Sequence, residues 1–458
     1  MMVSNMSKLN SIIENKNQLI QYFEDGCKPK SSWKIGTEHE KFGFIKRNLK
    51  PLPYQGDCSV LSVLKGLIDT FGWKPIEENK FIIGLNKDSA NITLEPGGQL
   101  ELSGALLDSV HETCLEVATH LAEVKTIADR IGAGFIGLGS APEWKHKEMP
   151  IMPKDRYKLM APYMEKVGSS GTKMMFRTCT VQVNLDYDSE TDMIKKMRVG
   201  LALQPIATAL FAASPFFEGK ITGFKSYRSR IWHDTDKSRT GMLPFVFDEG
   251  YGFEAWVNYA LKVPMYFVKR NNKYINALGL SFNDFLNGKL SVLPNERPKL
   301  SDWVDHLTTI FPEVRLKQFI EMRGADAGPW SRICALPAFW VGIIYDQQAL
   351  DTAWDICKDW TDEERFKLYK DVSKLGFDAT IRNRSVKKLA HEILLLSDNG
   401  LKNRNKMNIH NTKENECEFL SPLFSSLEQG ISLADEILIR YNKDWSKDLK
   451  QIYNEYSY

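Results

Sequence analysis

Four short stretches of the chain alternate apolar and polar residues with a period of two, and their polar positions are carboxylates, amides or an arginine. Residues 35–44, Ile-Gly-Thr-Glu-His-Glu-Lys-Phe-Gly-Phe, would put Glu38 and Glu40 on one face of an extended strand and His39 on the other. Residues 92–102 set Gln99 and Glu101 against Leu100 and Leu102, and Glu95 stands just before a Pro96-Gly97-Gly98 break that can re-aim its carboxylate. In residues 178–186, Cys179, Val181, Val183 and Leu185 oppose Thr180, Gln182 and Asn184; in residues 319–323, Ile320 and Met322 oppose Glu321 and Arg323. Antiparallel sheets look like this when one face packs on helices and the other meets water or a ligand.

Helical periodicity fills much of the rest. Helices are predicted over 8–25, 56–72 and 108–131, the last with Val110, Cys114, Val117, Leu121, Val124, Ala128 and Ile131 at three- and four-residue spacing and Gly132 as its stop. Residues 132–137 match GxGxxG, but the motif follows a helix and leads into a strand-like segment, which is the wrong context for a dinucleotide fingerprint. No Walker A sequence occurs. The apolar window 199–217 is broken by Gln204, Pro205, Thr208, Ser214 and Pro215 and reads as a buried helix rather than a membrane span. Residues 218–250 read as long ordered loops. Beyond 345 the pattern turns helical, with a capping box from Thr361 to Glu364, helices at 385–397 and 432–442, and a mobile polar surface loop between them over 398–416. The expected organisation is an N-terminal helical segment (1–32), a catalytic sheet domain (33–345) and a C-terminal helical region (346–458) packed on the same domain.

Bulk composition narrows the function without choosing it. At 458 residues, with 43% hydrophobic and 26% charged positions, this is an ordinary globular chain. A net charge of +2 gives no electrostatic footprint for nucleic acid. Seven cysteines, none in a CxxC pair, suit a reducing compartment. The first residues resemble neither a signal nor a transit peptide, so a cytoplasmic protein is expected, a monomer or weak homodimer with no membrane partner.

The acids carry the chemistry. Two carboxylates about 4 Å apart repel by roughly 4 kcal/mol at an effective dielectric of about 20. A fold keeps such a pair when a cation lies between them or one carries a proton; an edge strand facing water is the plainer alternative. If the four polar faces converge, they form a hard-oxygen site suited to magnesium shared with substrate phosphates. Arg228, Arg230 and Arg239 fall in one basic stretch, 227–239, read either as a surface charge network or as forks for carboxylate and phosphate. No HExxH, zinc-spaced cluster or GxSxG is present. Phosphoryl transfer fits best, including ATP-driven amide formation through an acyl phosphate.

Several runs then resemble glutamate–cysteine ligases of the plant and proteobacterial type: residues 35–44, 94–104, 177–186, 234–248, 306–317, 321–326 and 334–340. The resemblance implies an α+β fold, a curved antiparallel sheet forming a glutamine synthetase-like funnel with helices outside. It implies ligation of the L-glutamate γ-carboxylate to L-cysteine through a γ-glutamyl phosphate, with ATP and Mg2+, as the first step of glutathione biosynthesis. By the same resemblance Glu38, Glu40, Glu95, Glu101 and Glu321 are metal ligands, and Glu38, Glu40 and Arg323 act in catalysis. Arg228, Tyr266 and Gln182 line the substrate pockets and Arg323 meets phosphate; from the basic stretch itself, Arg230 and Arg239 are also expected at phosphate. The alternatives are a related ligase with another amine acceptor, or a nucleotide-binding homologue without activity. Plant members carry a regulatory cysteine pair where this chain has Ala277 and Val292; Cys114 and Cys334 resemble a second pair, expected here as thiols.

Overall fold

The computed structural model describes residues 8–409, 411 and 413–458. Nine strands form its central sheet: β1 (Ile35–Ile45), β2 (Lys74–Glu78), β3 (Phe81–Lys87), β4 (Ala90–Leu94), β5 (Leu100–Ser103), β6 (Ala133–Ile136), β7 (Thr180–Leu185), β8 (Val314–Leu316) and β9 (Ile320–Asp326). They lie in the order β8-β9-β7-β1-β5-β4-β3-β2, with β6 paired to the far half of β1, and every pairing is antiparallel. Because strand partners share a face, the alternation in sequence becomes a two-sided sheet. Glu38 pairs with Ser103 and Gln182, Glu40 with Glu101, Glu101 with Thr93, and Glu321 with Asn184 and Arg315. On the reverse face, His39 pairs with Leu102 and Val181, and Lys41 with Leu100.

That reverse face is covered by helices. We use α1 (Lys16–Glu24), α2 (Val110–Ile131), α3 (Asp155–Val167), α4 (Glu190–Leu210), α5 (Tyr227–Trp232), α6 (Trp330–Ile344) and α7 (Val386–Arg404). α4 packs on β9, α6 on β7, and α2 on β1 and β6. One buried cluster joins Leu19 and Phe23 of α1 to Val181 and Val183 of β7, to α4 and α6, and to Leu423 and Leu427 near the C-terminus. The terminal segments thus share a core with the sheet rather than forming cores of their own.

The GxGxxG stretch straddles the end of α2 and β6, with Gly132 left-handed at φ 75° as the helix cap, which bears out the structural reading over the dinucleotide one. Window 199–217 lies largely in α4, buried from Val199 through Leu210, and no helix among the described residues is long and apolar enough to cross a membrane. Cys114 and Cys334 are buried free thiols.

Three expectations need correction. Residues 8–25 are not one helix: residues 8 and 9 are helical, residue 12 is held in a bridge to Lys299, and Asn15 caps a separate helix over 16–24. Residues 218–250 are not all loop: Ser226 caps α5, accepting the Ser229 N–H, and a 3-10 turn follows at Pro244–Phe247. α7 runs on to Arg404, well into the expected 398–416 loop, and Arg404 binds the buried Glu416 at 2.6 Å; His410 and Thr412 lie outside the described residues.

Candidate active site

The front face of β1 carries Glu38 and Glu40 two residues apart, as the alternation requires. Glu38 Oε1 accepts from Asn184 Nδ2 at 2.8 Å, and Glu40 Oε2 accepts the Thr180 backbone N–H at 3.0 Å. Glu101 accepts a short hydrogen bond from Thr93 Oγ1 and is 8% exposed. Glu95 arrives by the predicted turn: the Gly98 N–H donates to the Glu95 carbonyl at 2.9 Å, and Gly98 sits at φ 82°. Gly97 is required for packing, since a Cβ there would stand 2.3 Å from the Phe176 carbonyl. Gln99 locks the turn, accepting the Gly97 N–H and donating to the carbonyls of Met175 and Thr178. Burial and then the Glu95 charge push the Glu40 carboxyl up to about 8, while Arg228, the Thr180 N–H and Arg323 pull it back. Burial and the charges of Glu95, Glu38 and Glu40 raise Glu101 well above the carboxylate range. This is a face with more negative charge than its protein partners neutralise.

Beside it lies a cavity of about 80 Å³ walled by Glu40, Glu95, Arg156, Arg228, Arg323 and Trp232, among others. Arg228 Nη2 donates to the Arg323 carbonyl at 2.9 Å, but Arg228 Nε and Arg156 Nε have no partner, an unusual state for buried donors. α5 aims Arg228 and Trp232 into the cavity together because they are four residues apart on one helical face. Its start is pinned by Asp326 at the end of β9, which accepts from Ala213 N (2.9 Å), Ser214 Oγ (2.6 Å) and Ser226 Oγ (2.7 Å); Ser214 Oγ in turn accepts the Arg228 N–H.

The other expected residues part company with this group. Glu321 is not free to bind a metal: Arg315 grips it with a two-nitrogen fork at 2.7–2.9 Å, Lys317 approaches to 3.1 Å, and Arg323 bonds it as well. Burial opposes its charge, but these three cations prevail and hold the carboxyl well below its usual range. Gln182 accepts from Arg323 Nη1 at 2.8 Å and so orients that arginine. Arg230 points away from the cavity, two residues from Arg228 and therefore on the other side of α5, where it lines a separate surface cleft with Lys173 and Glu218. Arg239 is fully buried and spent on Asp236 (2.6 Å), Thr309 O and Pro264 O, which leaves nothing for phosphate. Tyr266 lies under the Arg239 guanidinium at 3.9 Å with its hydroxyl on Met164 Sδ, outside the cavity wall. His39 faces backward as expected, and neither of its ring nitrogens has a partner.

Sequence reasoning missed Arg156, Arg315, Trp232 and Asp326. Trp232 lies in the basic stretch 227–239, but with no helix predicted there its spacing of four from Arg228 carried no weight. Arg315 was invisible because its partner Glu321 belongs to the neighbouring strand. Among the described residues, no three His, Cys, Asp or Glu side chains are arranged to hold a metal ion by themselves.

An antiparallel sheet with an acidic front face, flanked by guanidinium groups aimed at a small cavity, defines a carboxylate-activating ligase of the α+β type. Residues 34–455 match the glutamate–cysteine ligase family 2. The chain is 52% identical over 443 residues to "Glutamate–cysteine ligase B, chloroplastic" of Oryza sativa subsp. japonica, covering 97% of this chain and 87% of that protein. It is 51% identical to the chloroplastic enzyme of Arabidopsis thaliana, covering 97% and 83%. Among solved structures, glutamate–cysteine ligase of Francisella tularensis in complex with AMP superposes with a TM-score of 0.53 at 13% identity, over 93% of this chain and 89% of that one, which shows the shared fold. The chain belongs to glutamate–cysteine ligase family 2. Its activity is the ATP-dependent formation of γ-glutamylcysteine from glutamate and cysteine, as the sequence resemblance implied. The cytoplasmic expectation is corrected: relatives sharing half of its residues are chloroplastic enzymes, and free cysteines report redox conditions rather than a compartment.

Proposed function

We propose that glutamate enters the 80 Å³ cavity head first, its α-carboxylate against the guanidinium groups of Arg228 and Arg156 and its γ-carboxylate toward Glu40. Ligand pockets usually begin near about 300 Å³, so this space suits an amino acid's head group and not a nucleotide. ATP then presents its γ-phosphate at the front face, beside Arg323. The γ-carboxylate oxygen attacks the γ-phosphorus and ADP leaves; the cysteine amine attacks the resulting acyl phosphate and phosphate leaves. Arg323, oriented by Gln182 and Glu321, faces the charge that develops on the transferred group.

The acid face fits a divalent cation. Glu38, Glu40, Glu95 and Glu101 are the residues that would hold Mg2+, which when bound neutralises the triphosphate and polarises its γ-phosphoryl group. Mg2+ keeps several waters and takes substrate phosphates as ligands, so a face too open to close a shell unaided is what an ATP-borne cation needs. The observation that carries the reading is the mutual repulsion of these carboxylates beside guanidinium donors that lack partners. ADP release with glutamate and cysteine should require Mg2+, and Glu40→Gln should lower kcat at least about a hundredfold with the thermal midpoint unchanged. Near-normal turnover in that variant, or turnover in excess chelator, sinks the proposal.

A further inference from the structure

A cleft of about 460 Å³ lies on the far side of α5 from the 80 Å³ cavity. Two short helices separate the two spaces, and each lines both. α5 sends Arg228 and Trp232 to the cavity and Tyr227, Arg230 and Ile231 to the cleft. The helix over Gly171–Arg177 sends Met174 and Met175 to the cavity and Lys173 to the cleft. Lys173, Lys220 and Arg230 stand on the cleft wall, and none of their side chains has a hydrogen bond or ion pair among the described residues. Lys173 and Arg230 are half-buried. Like charges gathered this way repel unless an anion lies among them. The one carboxylate on the wall, Glu218, is already held by Arg177 Nη1 at 2.8 Å, and Asp234, close to Arg230, accepts the Ser169 hydroxyl. Ser170 is an independent sign. It is 5% exposed, and its hydroxyl has no protein partner yet keeps accessible surface on the cleft. Buried polar side chains are nearly always paired, so a free hydroxyl at a cleft marks a place for an acceptor. The cleft also has an aromatic wall: the Tyr227 ring lies 4.7 Å from that of Phe217 and 5.8 Å from that of Phe224.

We propose that this cleft is a ligand site apart from the catalytic one, that it takes a small aromatic phosphate ester, and that its occupancy is felt at the 80 Å³ cavity through α5. The phosphate lies among Lys173, Lys220 and Arg230 and accepts from the Ser170 hydroxyl, and the ring lies against Tyr227 and Phe217. Three cations and a hydroxyl suit a group with close to two negative charges and three acceptor oxygens better than a carboxylate. The volume falls within the range of about 300 to 1,000 Å³ usual for small-molecule pockets. The coupling route is short. Arg230 and Arg228 are two residues apart on one six-residue helix, and in a close-packed interior such an element moves as a unit. The coupling rests on glutamate meeting Arg228; the site itself does not.

The test is calorimetric titration of the full chain with 1-naphthyl phosphate while glutamate, Mg2+ and a non-hydrolysable ATP analogue occupy the catalytic face. Saturable binding is expected, with at least about tenfold weaker binding of 1-naphthoate and 1-naphthol. Arg230→Ala and Lys173→Ala should each weaken the ester about tenfold and leave kcat and the KM values unchanged in its absence; Ser170→Ala should weaken it about threefold. Without nucleotide, saturating ester should shift the glutamate Kd by about fivefold, and glutamate should shift the ester Kd by the same factor. Absence of saturable binding, displacement of the ester by the ATP analogue, equal binding of 1-naphthol, or indifference to the variants would overturn the site. An unchanged glutamate Kd would overturn the coupling. Arg228→Lys separates this proposal from the glutamate pose. Ester affinity should survive it, and a loss would place the ester in the front cavity and overturn the separate site, whereas an unaltered glutamate KM in that variant would count against the pose alone.

Discussion

Arg228 brings to the cavity one nitrogen already fixed on a backbone carbonyl and another with nothing to bind. A planar fork of this kind reads a carboxylate in a way a lysine's point charge does not. Arg228→Lys should therefore raise the glutamate KM at least about tenfold while moving the ATP KM by less than about threefold, as steady-state kinetics would show. Glu40 supplies a second prediction. Its carboxyl keeps a proton up to about pH 8 in the folded apoprotein, against 4.5 when unperturbed, so the folded state binds the extra proton between those values and stability falls as pH rises through that window. Loading Mg2+ and ATP at pH 7 should expel protons, because Glu40 and Glu101 are both held above the usual carboxylate range. Calorimetry in buffers of different ionisation enthalpy measures the release, and Glu40→Gln should reduce it. Glu38, Glu40 and Glu101 were legible because alternation fixes a face and antiparallel register carries it to the next strand. Glu321 also fell on the expected face, but its role depended on Arg315, a partner no local pattern names.

Among the elements, α5 shows what periodicity could not give. Six residues are too few for a helical signature, so Arg228 and Arg230 looked equivalent in sequence, although half a turn of helix sends them to different cavities. The helix is placed by Asp326, whose carboxylate holds the backbone of Ala213 and the hydroxyls of Ser214 and Ser226. Asp326→Asn cannot accept all three bonds with equal strength. It should cost roughly 2 kcal/mol of stability in urea unfolding and raise the glutamate KM more than it lowers kcat. Equal losses in both constants would mean that α5 does not position the substrate. The turn before β5 was easier to foresee, since Pro-Gly-Gly names both the reversal and the close approach to Phe176.

Over the whole molecule, the sheet's antiparallel character and its helix-covered reverse face followed from the strand patterns, whereas the individual contacts that tie residues near both ends of the chain to one buried cluster did not. Leu19 and Leu423 meet the same cluster through contacts too distant in sequence to be read. The core also sets the acid limit of the fold. His306 is buried with Nε2 2.9 Å from the Ala260 carbonyl, and burial drives its pKa down to about 4. The unfolded chain takes up that proton below about pH 6.5 and the folded chain does not, so stability is lost as pH falls from about 6.5 to about 4, by about 3 kcal/mol for this group. Denaturant unfolding at pH 7 and pH 4.5 should show the loss, and His306→Gln should flatten it. The Glu321 carboxylate, fully buried under Arg315, Lys317 and Arg323, has one more consequence. Dissolved ions cannot reach so dry a junction. Raising ionic strength should leave turnover at saturation nearly untouched, and the penalty should fall on the capture of anionic reactants from solution.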